Sequence, residues 1–247
     1  PVVARYQMLA DGQEIADTYF RGNETELNQV AINGVSIVPT VKVKETTADS
    51  RTYAMHVEKD NINLDMDVKV SVKENDLTWE VVKLEKAEGC AKIATIDVPG
   101  LNLLTVDAVE TGANFAGAKT STTTTASGDV FIDFKDGFEP SETDGYLYGF
   151  LTNEKLSAGL YSNSEIEGDK RVIRNNGADT MSLTSSAWYY ELGDKNGQKN
   201  APKYDAYPVS ELPCTKVAIA ADANGDETID WNDGALAFRD IMNIPYG

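Results

Sequence analysis

The chain has 247 residues, 22 Lys or Arg against 40 Asp or Glu, and a formal net charge of −18. This balance excludes a nucleic-acid binder, which needs basic side chains to displace condensed counterions, and it makes an anionic membrane surface a repelling partner. A hydrophobic content of 41% and an aromatic content of 9% exclude a disordered acidic tail, and no apolar run approaches the ~20 residues of a membrane span.

From its start to about residue 215 the chain reads as strands. Extended patterns occur at residues 41–43 and 53–57, and the clearest follows at residues 64–73. There Leu64, Met66, Val68, Val70 and Val72 recur at every second position and share one face. Glu74, Asn75 and Asp76 supply turn chemistry, and residues 77–82 resume the extended pattern, which predicts a hairpin. Further strands are predicted at residues 92–98, 130–134, 146–151, 160–163, 181–192 and 215–220, nearly all separated by Gly, Pro, Asn, Asp or Ser. Strands at this density without alternating long helices predict a mainly β fold, a large antiparallel sandwich. The Thr-rich run at residues 120–125 reads as an edge strand or loop. Cys90 and Cys214 are too few for a disulfide framework and are expected to be small buried residues.

Past Asp230 the periodicity becomes helical, with Ala235, Phe238 and Met242 at i, i+3 and i+7 and Ile241 beside them. The chain opens on Pro1-Val2-Val3 without an initiator Met or signal peptide, and ends on Ile244-Pro245-Tyr246-Gly247 just after this pattern. The expectation is a piece of something longer.

The stretch that leads into the helix carries the chemistry. Residues 222–233 form a twelve-residue segment with oxygen donors at loop positions 1, 3, 5, 9 and 12. Calcium is a hard cation that takes 6–8 oxygens at about 2.3–2.6 Å, and a loop of alternating donors wraps it. Asp222, Asn224 and Asp226 would offer side-chain oxygens and Thr228 its carbonyl. Asp230 would act through a water, Asp233 would close the shell, and Ile229 would anchor the loop to the core. The loop departs from the EF-hand pattern at position 6, where Glu227 replaces Gly, and at position 12, where Asp replaces Glu. The same residues also read as a helix cap, with Asp230 or Asp233 near the N-cap. Four carboxylates in one loop repel one another, and a cation relieves that repulsion.

Trp188, Tyr189 and Tyr190, with Trp79, form the aromatic candidates for stacking on a sugar ring. In a strand Trp188 and Tyr190 share a face and Tyr189 takes the other, so part of the cluster belongs to a core.

Residues 222–243, from Asp222 to Asn243 and centred on the loop and Trp231, resemble the segment preceding the catalytic barrel in glycoside hydrolase family 101, the bacterial endo-α-N-acetylgalactosaminidases. The phrases Asn33-Gly-Val-Ser-Ile-Val-Pro-Thr-Val, Gly145-Tyr-Leu-Tyr-Gly-Phe, Leu156-Ser-Ala-Gly-Leu-Tyr-Ser-Asn-Ser and Glu211-Leu-Pro-Cys-Thr-Lys-Val resemble the same family in the same order. The resemblance implies a galactose-mutarotase-like supersandwich over residues 1–221. An EF-hand- or dockerin-like calcium loop and helix would follow over residues 222–247, leading towards a catalytic (β/α)8 barrel. It implies a parent that releases Gal-β1,3-GalNAc from Ser or Thr of mucin-type glycoproteins, outside the cell or at the bacterial surface. It also implies calcium ligation by Asp222, Asn224, Asp226, Thr228 and Asp233, and no catalytic residue in this chain.

Three function classes are therefore weighed. The first is a non-catalytic accessory domain whose partner is the barrel of the same polypeptide. The second is a carbohydrate-binding module for galactose-type sugars, using Trp188 and Tyr190 on an O-linked glycan. The third is an enzyme in its own right. A mutarotase needs an acid and a base, typically His and Glu, and the one His here, His56, reads as a surface or core residue of a strand. A cohesin-binding dockerin carries two such loops, and this chain has one.

Overall fold

The computed structural model describes residues 29–99, 101, 103–107, 111–122, 130–137, 148–164, 172–175, 180–191 and 212–242, with short strand segments between residues 3 and 26. The strands begin with β1 (Val3–Arg5), β2 (Leu9–Ala10), β3 (Gln13–Glu14), β4 (Arg21–Gly22), β5 (Glu24–Glu26), β6 (Val30–Ile32), β7 (Val35–Ile37) and β8 (Thr40–Thr46). The long β9 (Ser50–Lys59), β10 (Ile62–Lys73) and β11 (Asp76–Lys86) follow, then β12 (Thr95–Asp97), β13 (Leu104–Asp107), β14 (Asn114–Thr122) and β15 (Val130–Asp136). After β16 (Tyr148–Thr152), β17 (Ser157–Ser162), β18 (Val172–Asn175), β19 (Thr180–Thr184), β20 (Ala187–Tyr189) and β21 (Cys214–Ala220) comes one helix, α1 (Trp231–Ile241).

Nine strands make one sheet in the order β15-β14-β16-β17-β21-β11-β10-β9-β8, every neighbouring pair antiparallel. Two four-stranded sheets, β20-β12-β6-β7 and β18-β19-β13-β4, contribute to the same core. Trp79 of β11 stacks on Trp188 of β20 with ring centroids 5.4 Å apart, which ties the large sheet to the first of them. Leu104 and Leu183 bring in the second. The expected mainly β, antiparallel sandwich is the fold the chain adopts.

The alternation on β10 buries Leu64, Met66, Val68 and Val70 on the inner face. On β11 the adjacent Val81 and Val82 would break the period of two. The pairing of Asp67 with Lys83 and Val68 with Val81 leaves Val82 as an extra residue. This bulge turns Val82 outward and returns Leu84 to the core side. A second bulge, at Lys44 of β8, lies across β9 from Asp67. There the Lys44 Nζ sits 2.5 Å from Asp67 Oδ2, pairing a carboxylate otherwise buried on the outer face.

Several elements differ from the sequence expectation. Residues 181–192 do not form one strand: β19 and β20 lie in different sheets, separated by Ser185 and Ser186. The strand predicted at 92–98 is confined to β12. The segment before it is pinned by side chains instead, with Asn33 Oδ1 accepting from the amides of Ala94 (2.7 Å) and Thr95 (3.1 Å). Residues 120–122 end β14 as strand and pair there with β15, while β16 pairs with β14 over Asn114–Ala118. Residues 123–125, 146–147 and 192 lie outside the described residues. Cys90 and Cys214 are half-buried thiols.

Helix α1 lies on the outer face of the large sheet, over β16, β17 and β21. The outer face of β17 is reduced to Ser157 and Gly159 beneath it, which lets the backbones meet. A Cβ on Gly159 would lie 2.8 Å from Phe238 Cβ and 2.9 Å from the Gly234 carbonyl oxygen. Phe238 packs edge-on to Tyr148 and Phe150, and Phe150 tilts against Trp231. This outer cluster seats the helix, and with it the loop that precedes it.

Candidate functional site

The segment from Asp222 to Asp233 connects β21 to α1. Asp230 is the helix N-cap, its Oδ1 accepting from the Asn232 amide at 2.7 Å, while Asp233 Oδ2 accepts from the Asp230 amide at 2.9 Å. The Asp233 amide in turn donates to the Asp230 side chain, and these two residues form a capping box with Asp at N3. Both candidates for the cap therefore serve in it. Asp233 is 0% exposed, and its other oxygen accepts from the amides of Ala223 (2.7 Å) and Asn224 (3.3 Å). One carboxylate thus binds the start of the loop to the start of the helix.

The outer turn is organised by Asp222. Its Oδ1 accepts from the amides of Gly225 (2.7 Å) and Asp226 (3.0 Å), and its Oδ2 from Glu227 (3.0 Å). Asn224 Oδ1 accepts from the Asp226 amide at 3.0 Å, and Asp226 Oδ1 from the Thr228 amide at 2.8 Å. Glu227 has a φ of 66°, the left-handed conformation for which the EF-hand pattern places Gly at position 6. The substitution alters the residue type without altering the turn. Ile229 is half-buried, in keeping with an anchoring role.

The donor chemistry at Asp222, Asn224, Asp226, Thr228, Asp230 and Asp233 is all oxygen and suits a hard cation. In this arrangement the carboxylates direct those oxygens at N–H groups. Among the described residues, no three His, Cys, Asp or Glu side chains gather as a metal ion requires. The loop's negative charge is met by its own amides.

The aromatic candidates are placed differently from one another. Trp188 is 2% exposed, stacked on Trp79, and donates from Nε1 to Asn163 Oδ1 at 3.0 Å. It offers no ring face to a sugar. Tyr190 lies just beyond β20, half-buried against the core, its amide bonded to the Ala94 carbonyl at 2.9 Å. Burial, then the neighbouring Glu191 charge, raise its phenol pKa. His56 stands on the outer face of β9, with Nδ1 2.8 Å from Asp65 and Nε2 3.3 Å from Glu58.

Two asparagines unremarked as polar anchors in the sequence hold the sandwich together. Asn33, in the β6–β7 turn, bonds to residues 92, 94 and 95. Its Asn-Gly dipeptide is a readable hairpin signal. Asn163 accepts from Trp188 and from the Cys214 amide (2.8 Å) and donates to the Leu212 carbonyl (2.9 Å). No local sequence signal marks it, because its partners are 25, 51 and 49 residues away.

A putative endo-alpha-N-acetylgalactosaminidase of Renibacterium salmoninarum is 27% identical over 262 residues, covering 98% of this chain and 16% of that protein. The chain thus spans a small part of the curated relative's length, and the match supports the resemblance read from the loop and its flanking phrases. Two solved structures of Geobacillus stearothermophilus GH36 α-galactosidases also align. AgaA, in complex with stachyose, has 11% identity and a TM-score of 0.37, covering 89% of this chain and 32% of that one. AgaB has 9% identity and a TM-score of 0.35 with the same coverages. The galactose mutarotase-like fold domain family matches residues 1–231, and the chain belongs to that family.

Proposed function

We propose that this chain is a non-catalytic β-sandwich domain of a larger, secreted glycoside hydrolase. It packs against the catalytic barrel of the same polypeptide, and the parent releases Gal-β1,3-GalNAc from Ser or Thr of mucin-type glycoproteins. The observation that carries this reading is the match of 98% of the chain to 16% of a putative endo-alpha-N-acetylgalactosaminidase. The burial of Trp188 supports an accessory role over sugar binding through that ring.

Calcium is part of the proposal. The groups that would hold it are the side-chain oxygens of Asp222, Asn224, Asp226 and Asp233 and the Thr228 carbonyl, with Asp230 acting through a water. When bound, the cation supplies positive charge and cross-links the loop. The chain's own residues do the rest: Asp233 ties loop to helix, Asp230 caps α1, and Gly159 and Gly234 let the helix sit on β17.

Thermal unfolding tests the calcium part. A ligand bound only by the native state at a hundredfold its Kd stabilises by about 2.7 kcal/mol. The melting temperature is expected to rise with added calcium and fall in chelator. An identical melting temperature in both would refute calcium binding and leave the domain assignment standing. The accessory role is tested by unfolding the parent with and without this region: loss of the region should lower the barrel's melting temperature, and an unchanged value contradicts packing.

A further inference from the structure

We infer that Asn224 is a site of spontaneous deamidation in the calcium-free chain, gated by local opening of its loop. Among the described residues Asn-Gly occurs twice, at Asn33-Gly34 and Asn224-Gly225. Glycine is the successor that least obstructs attack of a backbone nitrogen on the asparagine side chain. In that reaction the Gly225 nitrogen bonds to Asn224 Cγ and loses its proton to solvent. The Cγ–Nδ2 bond breaks, ammonia leaves, and a succinimide ring forms. Water then opens either ring carbonyl, giving aspartyl or isoaspartyl at position 224.

Both asparagines are exposed, so accessibility does not separate them. Their restraints do. Asn33 Nδ2 donates to the Lys92 carbonyl at 2.7 Å while its Oδ1 accepts from the amides of Ala94 and Thr95. These partners lie at least 59 residues away, and β6 pairs with β12 beside them. Freeing Asn33 therefore requires opening a sheet of the sandwich. Asn224 is held within the segment 222–233: its side chain by the Asp226 amide on Oδ1 and by Asp226 Oδ2 on Nδ2, both at 3.0 Å, and its own amide by Asp233 Oδ1 at 3.3 Å. The attacking Gly225 amide is held by Asp222 Oδ1, at 2.7 Å, in the same loop. Opening residues 222–228 frees the amide carbon and the nucleophile together while the core stays intact. Local openings need far less free energy than global ones, and each 1.4 kcal/mol of difference is about tenfold in population. The product adds a carboxylate to the loop that already carries Asp222, Asp226, Asp230 and Asp233. The isoaspartyl form also lengthens the backbone at the turn.

The test incubates the whole chain in chelator at mildly alkaline pH and follows both peptides by mass spectrometry with an isoaspartate-specific methyltransferase assay. Conversion at position 224 is expected to run at least about tenfold faster than at position 33. Asp226→Ala, which removes one side-chain restraint, should speed conversion at 224 severalfold and leave position 33 unchanged. Equal rates, faster conversion at 33, no conversion at 224, or equal acceleration of both sites in the variant would each overturn the inference.

Discussion

At the residue scale the most informative side chain is the single histidine. Hydrogen bonds to Asp65 first and Glu58 second, with their charges, stabilise the protonated ring and raise the His56 pKa above its ordinary 6.5. A raised folded-state value means that the stabilisation is fully present below the unfolded pKa and is lost as pH rises through the folded one. The ring is well exposed, so the effect on stability is slight, but the titration itself is clean because no second His exists. NMR titration should give a midpoint above 6.5 in the native chain, and Asp65→Asn should lower it. A midpoint at or below 6.5 in the native chain would contradict the pairing. His56 thus proves to be a surface residue, one of the two placements its strand-like setting allowed.

At the element scale the seat of α1 decides how the loop is held. Gly→Ala at a compatible position stabilises by roughly 0.4–1 kcal/mol through the unfolded chain. At Gly159 the new Cβ would meet Phe238 Cβ at 2.8 Å and the Gly234 carbonyl at 2.9 Å, and overpacking of this kind costs about 1–3 kcal/mol. The clash wins. Gly159→Ala is expected to lower the melting temperature and to speed amide exchange in α1 more than in β10; unchanged exchange in the helix would refute the close seat. The same packing explains what the sequence concealed. Ser157, Ala158 and Gly159 open β17 with weak strand formers, chosen by the helix above them rather than by β-propensity. The sequence pattern accordingly marks the strand only from residue 160. The hairpin of β10 and β11 was legible because its inner face is apolar and its turn residues are strong. The capped loop was legible because its partners are local: the carboxylates of Asp222, Asp226, Asp230 and Asp233 accept from amides within residues 222–233. The burial of Trp188 was not, since it depends on Trp79 and Asn163, far along the chain.

At the scale of the whole molecule, an ion pair links the end of β11 in the large sheet to the segment that follows β20 in the opposite one. Lys86, at the end of β11, holds Glu191 at 2.8 Å, and Glu191 also accepts from the Ile93 amide at 2.6 Å. Burial alone would raise the Glu191 pKa, but the Lys86 and Ile93 hydrogen bonds outweigh it and hold the carboxyl below its ordinary 4.5. A lowered folded-state value gives stability that is present above the unfolded pKa and is lost as pH falls through the folded one. Glu191→Gln should therefore lower the melting temperature at neutral pH and narrow its gap from the native chain in strong acid. A gap unchanged with pH would contradict the pairing. The net charge of −18 now has a partial location, with Asp222, Asp226, Asp230 and Asp233 in one amide-lined loop docked beside the sandwich. In the proposed role this sandwich accompanies a glycosidase and does not itself cleave the glycosidic bond. The direct measurement is release of Gal-β1,3-GalNAc from an O-glycosylated peptide, by this chain and by the longer polypeptide that carries it. Release is expected from the longer polypeptide and not from the chain alone. Turnover by the isolated chain, or its absence from the longer protein, would contradict it.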